Sequence, residues 1–493
     1  MTKVTLIDKR QNGDHSIDAA AVNSKEARAL YSKRAQIYPK LAHGFFRNVK
    51  WAAMIVLLAI YYVTPWIRWD RGVGRPDQAV LIDFEHGRVY FFFIELWPQE
   101  VYYITGLLVL ASLGIFLSSA LFGRVWCGYA CPQTVWTDLY IYVERMIEGD
   151  RNARMKLDKA PLSVEKATKK LSKHAIWLLI AAATGGAWVF YFADAPTLFF
   201  DIFAGRAATT AYISIGVLTF TTYTLAGVMR EQVCTYMCPW PRIQGAMMDK
   251  DALSVTYRAD RGEKRGPHKK GESWEGRGDC IDCRQCVAVC PQGIDIRDGD
   301  QLECINCALC IDACDDIMRK VDRPTGLIAY DSYANQTRRA QGKVANIRLL
   351  RPRTILYGVL LAFVGLLMVY GLSTRQTLDL NVIRDRSPPF VRLADGSFRN
   401  DYALKLVNMT ATDRRVVIEV SGLDGAHLLA PALESQGVIV ANASADSVTN
   451  VRMHVVVPNS VGAGSHRLTF TIRDLDSGET ATSASAFLAG EAP

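Results

Sequence analysis

Five stretches of the chain stay apolar for about the 20 residues that a helix needs to cross a bilayer core: Val49 to Ile67, Val101 to Phe122, Ala175 to Ala195, Ala211 to Met229 and Thr354 to Leu372. Trp51, Tyr61, Trp66, Tyr102, Trp177, Tyr191 and Tyr357 sit towards their ends, where amphipathic rings prefer the membrane interface. After Leu372 the pattern changes. Apolar and polar residues alternate in short runs at Tyr402 to Val407, Val416 to Val420, Gly437 to Val440, Val451 to Val457 and Leu468 to Ile472, with turn residues such as Asp424-Gly425 and Asp476-Ser477-Gly478 between runs. That alternation predicts an antiparallel sandwich of about seven strands. The pattern therefore reads as a multidomain membrane protein: an amino-terminal segment at 1–48, a four-helix α-helical region at 49–250, a cysteine-rich segment at 251–350, a fifth transmembrane helix at 351–374 and a β-sandwich at 375–493.

Half of the 493 residues are hydrophobic and 22% are charged, which excludes a disordered chain. The net charge of +8 would suit nucleic acid, anionic lipid or cytoplasmic loops, and the apolar runs select the last, with membrane lipid and no nucleic acid as partner. Met1 to Ala42 is polar, contains Lys25, Arg28, Lys33, Arg34 and Lys40, and lacks the apolar core of a signal peptide, so the amino terminus is expected inside. The loop from Arg68 to Glu100 has four Arg and no Lys against six acids, and Pro196 to Thr210 has only Arg206 as a cation. Those loops read as outward. Gly123 to His174 holds Arg145, Arg151, Arg154, Lys156, Lys159, Lys166, Lys169, Lys170 and Lys173 and reads as cytoplasmic under the positive-inside rule. With five crossings the sandwich would lie outside, in the periplasm of a bacterium.

All 12 cysteines fall between Cys127 and Cys314 in tight clusters, which is metal-ligand usage in a reducing compartment rather than a disulfide framework. Cys280, Cys283, Cys286 and Cys290, followed by Pro291, keep the C-x2-C-x2-C-x3-C-P spacing, and Cys304, Cys307, Cys310 and Cys314 repeat it with Asp315 in place of the proline. This is the bacterial two-cluster ferredoxin signature, in which three thiolates on one loop are completed by the fourth cysteine of the other half. One 4Fe–4S cluster would use Cys280, Cys283, Cys286 and Cys314, and the second Cys304, Cys307, Cys310 and Cys290. Structural zinc also uses C-x2-C pairs, but eight cysteines with two x3 positions fit two clusters better.

The other four cysteines form a membrane-borne repeat of helix, outward loop, helix and cysteine pair, at Cys127-Gly-Tyr-Ala-Cys131-Pro132 and Cys234-Thr-Tyr-Met-Cys238-Pro239. Proline suits the first helical turn, so Cys131 and Cys238 are predicted at helix caps, where a thiol pKa falls. Soft thiolates, with Met237, Met247 and Met248 nearby in sequence, suit Cu(I) better than hard cations. A redox dithiol, a zinc site joining both pairs, or plain interfacial cysteines remain open at this point.

No histidine falls within the five stretches, which excludes a membrane haem held by paired histidines, and their centres carry no charged residue, which argues against an ion pump. Neither a P-loop nor a dinucleotide-binding glycine pattern is present. The basic stretch Gly262 to Gly278, with Lys264, Arg265, Lys269 and Lys270, reads as a solvated linker facing anionic lipid before a docking site for an acidic donor.

Taken in order, two Cys-x3-Cys-Pro motifs in a membrane region, a two-cluster ferredoxin segment, a last helix and a β-sandwich resemble the cytochrome c oxidase accessory protein family, also called FixG, RdxA or CcoG. The resemblance covers nearly the whole chain. It implies an immunoglobulin-like tail and an enzyme of the bacterial inner membrane, a cupric reductase that turns Cu(II) into Cu(I) for assembly of a cbb-type cytochrome c oxidase. It further implies copper as the substrate at Cys127, Cys131, Cys234 and Cys238, and a cytosolic electron donor, a copper exporter or chaperone and the oxidase assembly machinery as partners; a homodimer is a further expectation, since membrane assembly factors often self-associate. The motifs also resemble the membrane quinol dehydrogenases of periplasmic nitrate reduction, which would make the chain a respiratory electron-transfer subunit. A redox-sensing assembly scaffold is a third expectation.

Overall fold

The computed structural model describes residues 36–490 except 73, 269–270, 431–433 and 436–437. The chain divides into two compact units, one holding the described residues up to 70 and 76–366, the other 71–75 and 367 onwards. Lys25, Arg28, Lys33 and Arg34 of the polar amino-terminal stretch lie outside the described residues, as do Lys269 and Lys270 of the basic linker.

Among the described residues four helices are long and apolar enough to cross a membrane: Phe45–Trp66, Pro98–Phe122, Thr209–Met229 and Pro352–Ser373. They expose Ile55, Leu107, Phe220 and Leu366, a distribution that suits hydrocarbon and not water. The expectation of five spans is corrected to four. Ala175 to Ala195 belongs mostly to the helix Val164–Val189, whose first half carries Lys166, Lys169, Lys170 and Lys173, and the chain turns before a new helix begins at Ala195. What remains is shorter than the ~20 apolar residues a span requires. Its Trp177, Ala181 and Ala187 are buried, and the helix packs between Pro132–Glu148 and Thr209–Thr222. An even number of spans removes the parity argument for a tail on the far side.

The loops also hold more structure than their polarity indicates. Val80–Asp83, Arg88–Phe91 and Ile94–Leu96 form an antiparallel sheet, and Ala195–Phe203 is a helix whose first turn is capped by Asp194 accepting from the Thr197 N–H. In the cysteine-rich segment Ser254–Tyr257 pairs with Ile328–Asp331, closing the ends of that segment on each other.

After the last span the second unit is a β-sandwich. One sheet contains Leu378–Arg384, Val391–Arg392, Phe398–Asn408, His427–Leu429 and Ser447–Val457; the other contains Arg414–Ser421, Glu434–Ser435, Val438–Ala443, Gly464–Asp474 and Thr480–Ala489. Leu404, Leu406, Phe470 and Phe487 are fully buried between them, and the Tyr402 hydroxyl donates to the Ala486 carbonyl at 2.8 Å to join the sheets. The described strands exceed the predicted seven because several are two or three residues long, and because Thr480–Ala489 begins Thr-Ala-Thr-Ser-Ala-Ser, too small inward to register as a hydrophobic alternation.

Buried charge fixes the polar ends of the first unit's helices. Glu144, its side chain 2% exposed, meets Arg154 at 2.8 Å, Arg230 at 3.0 Å and Lys173 at 3.3 Å. Burial alone would raise its pKa, but the guanidinium groups of Arg230 and Arg154 outweigh it and hold the carboxyl at about 2. Its contribution to stability is therefore complete above the ordinary carboxylate value and is lost only as pH falls towards 2. Glu144→Gln leaves the buried cations short of their shared anion and should destabilise the unit by about 3–5 kcal/mol. A lower melting temperature in detergent at pH 7 checks this, with wild type holding its value between pH 7 and 5.5 as far as Glu144 is concerned.

Candidate metal centre

The two cysteine quartets repeat one backbone shape. In each, the residues either side of the second cysteine are left-handed: Asp282 (φ 54°) and Arg284 (φ 53°) around Cys283, Asn306 (φ 52°) and Ala308 (φ 60°) around Cys307. Asp and Asn tolerate that region, whereas Arg and Ala hold it only where the surroundings impose it. The loops curl alike, so that the Gln285 N–H reaches the Cys283 sulfur and the Asn306 N–H the Cys304 sulfur. Cys280, Cys283, Cys286 and Cys314 line one cavity. Cys290, Cys304, Cys307 and Cys310 line a second, with Cys286 at its border. The fourth cysteine of each quartet thus lies with the first three of the other.

Burial pushes the free thiols of Cys286, Cys290 and Cys304 up to about 12 each, and Cys310 and Cys314 well above their ordinary value, with neighbouring thiols adding to the effect. Such thiols give up their protons only to a metal that replaces them. A cubane spreads its four ligands more widely than a single tetrahedral ion, about 2.3 Å from each sulfur, would. Eight sulfurs lining two apolar cavities on curled loops fit two 4Fe–4S clusters.

The missing second proline has a local reason. Cys314 lies within the helix Leu309–Lys320, which a proline at 315 would break; Asp315 instead accepts the Gly326 N–H at 2.7 Å. On the same helix, Asp312 accepts the N–H groups of Phe46 at 3.2 Å and Arg47 at 2.7 Å. It caps the first membrane helix, whose N-cap position is Gly44 and which has no side-chain cap of its own.

Of the membrane pairs, Cys131 is the N-cap of Pro132–Glu148 as its following proline predicts. Cys238 is not an amino-terminal cap: it is the C-cap of the π-helical turn Val233–Met237, and Pro239 is the N-cap of Trp240–Met247. The expectation of a lowered thiol is also corrected. Burial raises Cys131 against the pull of the Thr134 and Gln133 N–H groups. Burial likewise pushes Cys127 and Cys234 up to about 12, and the charges of the other membrane cysteines raise them further. The four thiols therefore share one neighbourhood although the pairs are remote in sequence. The Cys127 thiol donates to Gln244 Oε1 at 3.0 Å, and Gln244 Nε2 donates to Ser119 Oγ at 3.2 Å. Of the nearby methionines, Met247 sulfur accepts from the Tyr357 hydroxyl at 3.2 Å and Met237 is exposed.

The membrane loop and the second quartet meet backbone to backbone. A Cβ on Gly128 would fall 2.7 Å from the Ile305 carbonyl oxygen and 3.1 Å from both N and Cα of Cys307. Tyr129 donates its hydroxyl proton to the Cys307 carbonyl at 3.1 Å, and Arg124 donates to the carbonyls of Leu302 and Cys304. Gly128, Gln244, Asp312 and Arg124 are functional neighbours that sequence reasoning missed. Only the glycine of the first Cys-x3-Cys motif, absent from the second, gave any signal.

Residues 229–333 match the model of a 4Fe–4S dicluster domain, residues 104–147 that of a 4Fe–4S binding domain, and residues 368–490 the immunoglobulin-like fold at the C-terminus of FixG. Over 473 residues the chain is 51% identical to the nitrogen fixation protein FixG of Rhizobium meliloti, covering 90% of each. The protein RdxA of Cereibacter sphaeroides is 50% identical over 449 residues, covering 90% of this chain and 93% of that one. The chain belongs to the FixG and RdxA family. Protein RdxB of the same organism is 47% identical over 92% of this chain and 95% of its own. With its four apolar helices and its 4Fe–4S regions, this FixG-family chain is a membrane iron–sulfur electron-transfer protein, and its tail has the family's immunoglobulin-like fold.

The placing of each fourth cysteine in the cavity of the other quartet makes a specific prediction for this FixG-family centre. Cys314→Ala should remove the same electron paramagnetic resonance signal as Cys280→Ala, and Cys290→Ala the same signal as Cys304→Ala. Pairing within each quartet instead would show that the cavities mislead.

Proposed function

We propose that this protein is a cupric reductase of the bacterial inner membrane, reducing Cu(II) to Cu(I) for assembly of a cbb-type cytochrome c oxidase. The observation that carries the reading is that Cys127 packs against Ile305 and Cys307 of the second quartet's loop while Cys234 shares a cavity with Pro291 and Ile305. Cys280, Cys283, Cys286 and Cys314 would hold one 4Fe–4S cluster and Cys304, Cys307, Cys310 and Cys290 the other. Bound there, such clusters supply electrons singly, the unit in which Cu(II) becomes Cu(I). Cys127, Cys131, Cys234 and Cys238 receive the copper. As thiolates they prefer the monovalent ion, so they hold the product until a copper exporter or chaperone takes it. Gln244 orients the Cys127 sulfur, and the burial that raises the thiols of Cys127, Cys131 and Cys234 makes copper capture release protons.

The basic loop Gly123 to His174 supports a cytoplasmic position for the quartets, where a cytosolic donor can reach them. The periplasmic position of the immunoglobulin-like domain rests on the family resemblance. Accessibility of a cysteine introduced into the tail to a membrane-impermeant thiol reagent in spheroplasts tests it.

A second reading has a specific observation behind it. The 4Fe–4S binding model over residues 104–147 contains Cys127 and Cys131, and on that reading the four membrane thiols hold iron and the chain is a respiratory electron-transfer subunit oxidising quinol. Iron analysis separates two clusters per chain from three. In stopped-flow experiments on anaerobically reconstituted, dithionite-reduced protein, Cu(II) should bleach the clusters as Cu(I) appears in a chelator assay. Cys127→Ala/Cys131→Ala and Cys234→Ala/Cys238→Ala should each slow this by about tenfold or more. Clusters that ignore copper but are oxidised by a quinone analogue would hand the function to the second reading.

A further inference from the structure

We propose that electrons leave through the site of Cys290, Cys304, Cys307 and Cys310 and enter through that of Cys280, Cys283, Cys286 and Cys314, with Gly128 and Tyr129 as the positioning residues of the exit. The direction of flow rests on the cupric reductase reading; the contact does not.

Both membrane pairs face the second site. Cys127 packs in one apolar cluster with Val289, Ile305, Cys307 and Leu309, against the partly buried Cys310. Cys234 lines a cavity together with Pro291, Gln292 and Ile305, residues one or two positions after Cys290 and Cys304. Among the described residues the first site's cavity is lined by Tyr257, Arg297, Ile317 and Leu327 and by none of the membrane cysteines, and its Cys283 is exposed, whereas Cys307 is buried.

The contact is made of backbone, which leaves it no freedom to slide. With a Cβ only 2.7 Å from the Ile305 carbonyl oxygen, an alanine at 128 must push the two loops apart, because a carbonyl oxygen cannot rotate aside as a side-chain end can. The Tyr129 hydroxyl holds the register by its bond to the Cys307 carbonyl. In the second motif Thr235 occupies the position of Gly128, so that pair cannot seat itself in this way. The electron count closes simply. A soluble one-electron donor of iron–sulfur or flavin type gives one electron at the Cys283 face and one electron passes out to Cu(II), forming Cu(I); the bonds that change are those of the membrane thiols, whose S–H protons go to solvent as copper–sulfur bonds form.

The test uses the full chain in detergent, reconstituted anaerobically. Cys283→Ala and Cys304→Ala serve to assign the two cluster signals in electron paramagnetic resonance. Gly128→Ala should alter the line shape and midpoint potential of the signal that Cys304→Ala removes and leave the other signal as in wild type. It should slow oxidation by Cu(II) on the order of tenfold or more, while ferricyanide, which can reach the exposed Cys283 face, oxidises it at the wild-type rate. Should Gly128→Ala fail to take up clusters, Tyr129→Phe, which loses only the hydroxyl, should shift the same signal by a smaller amount. Unchanged signals, or a shift confined to the signal that Cys283→Ala removes, would overturn the contact. Wild-type clusters that stay reduced in Cu(II) would overturn the direction together with the reductase reading, and the signal shift in Gly128→Ala tells that failure apart from the first.

Discussion

The seat of the Gly128 backbone against Ile305 and Cys307 is the constraint on which the rest of the centre depends. Side chains can repack around a change, but two main chains in contact fix their distance and leave room for hydrogen as the only substituent. From that seat Cys127 and Cys131 extend to one side and the curled loop of Cys304 to Cys310 to the other. The thiols are brought together without bonding to one another, as all 12 cysteines are free. Their burial is unfavourable for thiolates and therefore selects occupants that supply positive charge.

Ion pairs hold the partners of that seat in register. Asp312, between two cysteines of the second quartet, caps the first membrane helix at Phe46 and Arg47. The Arg47 guanidinium in turn meets Asp138, on the helix that Cys131 begins, at 2.9 Å and stacks over Trp51 at 4.5 Å. Burial would raise Asp138, yet Lys50 and Arg47 keep it below the usual carboxylate range. Buried pairs of this kind contribute little net stability over well-packed apolar residues, because desolvation offsets the attraction. Their value here is specificity: a slip of either helix would strand a charge in the interior.

The parts that were legible in the sequence are those whose chemistry dictates spacing. Cysteine quartets must keep their intervals for one loop to surround a cubane, apolar spans must reach a bilayer's thickness, and Pro132 marks the start of its helix whatever surrounds it. Ala175 to Ala195 misled because composition alone cannot show that a helix continues backwards into lysines and stops early. Cys238 misled because the π-helical turn before it shifts the cap by one residue, which no local residue preference announces. Asp312 and Gln244 were invisible for a deeper reason. Each acts on an element remote in sequence, Asp312 on residues 46–47 and Gln244 on Cys127, and nothing in the neighbouring residues distinguishes an Asp on a helix surface from a cap for another helix.

The two Cys-x3-Cys-Pro motifs also show how a repeat divides labour. The first has no side chain at Gly128, and its Cys127 is buried against the ferredoxin loop. The second keeps Thr235, whose hydroxyl donates to the Glu231 carbonyl at 2.9 Å within the widened turn, and it presents Tyr236 and Met237 to the surroundings. One motif is shaped by contact with the protein, the other by access from outside it. On the proposed cupric reductase reading, a substrate ion reached by an electron from one side and by a carrier from the other would require that asymmetry, since two identical seats would close the site and two open motifs would leave it without a donor.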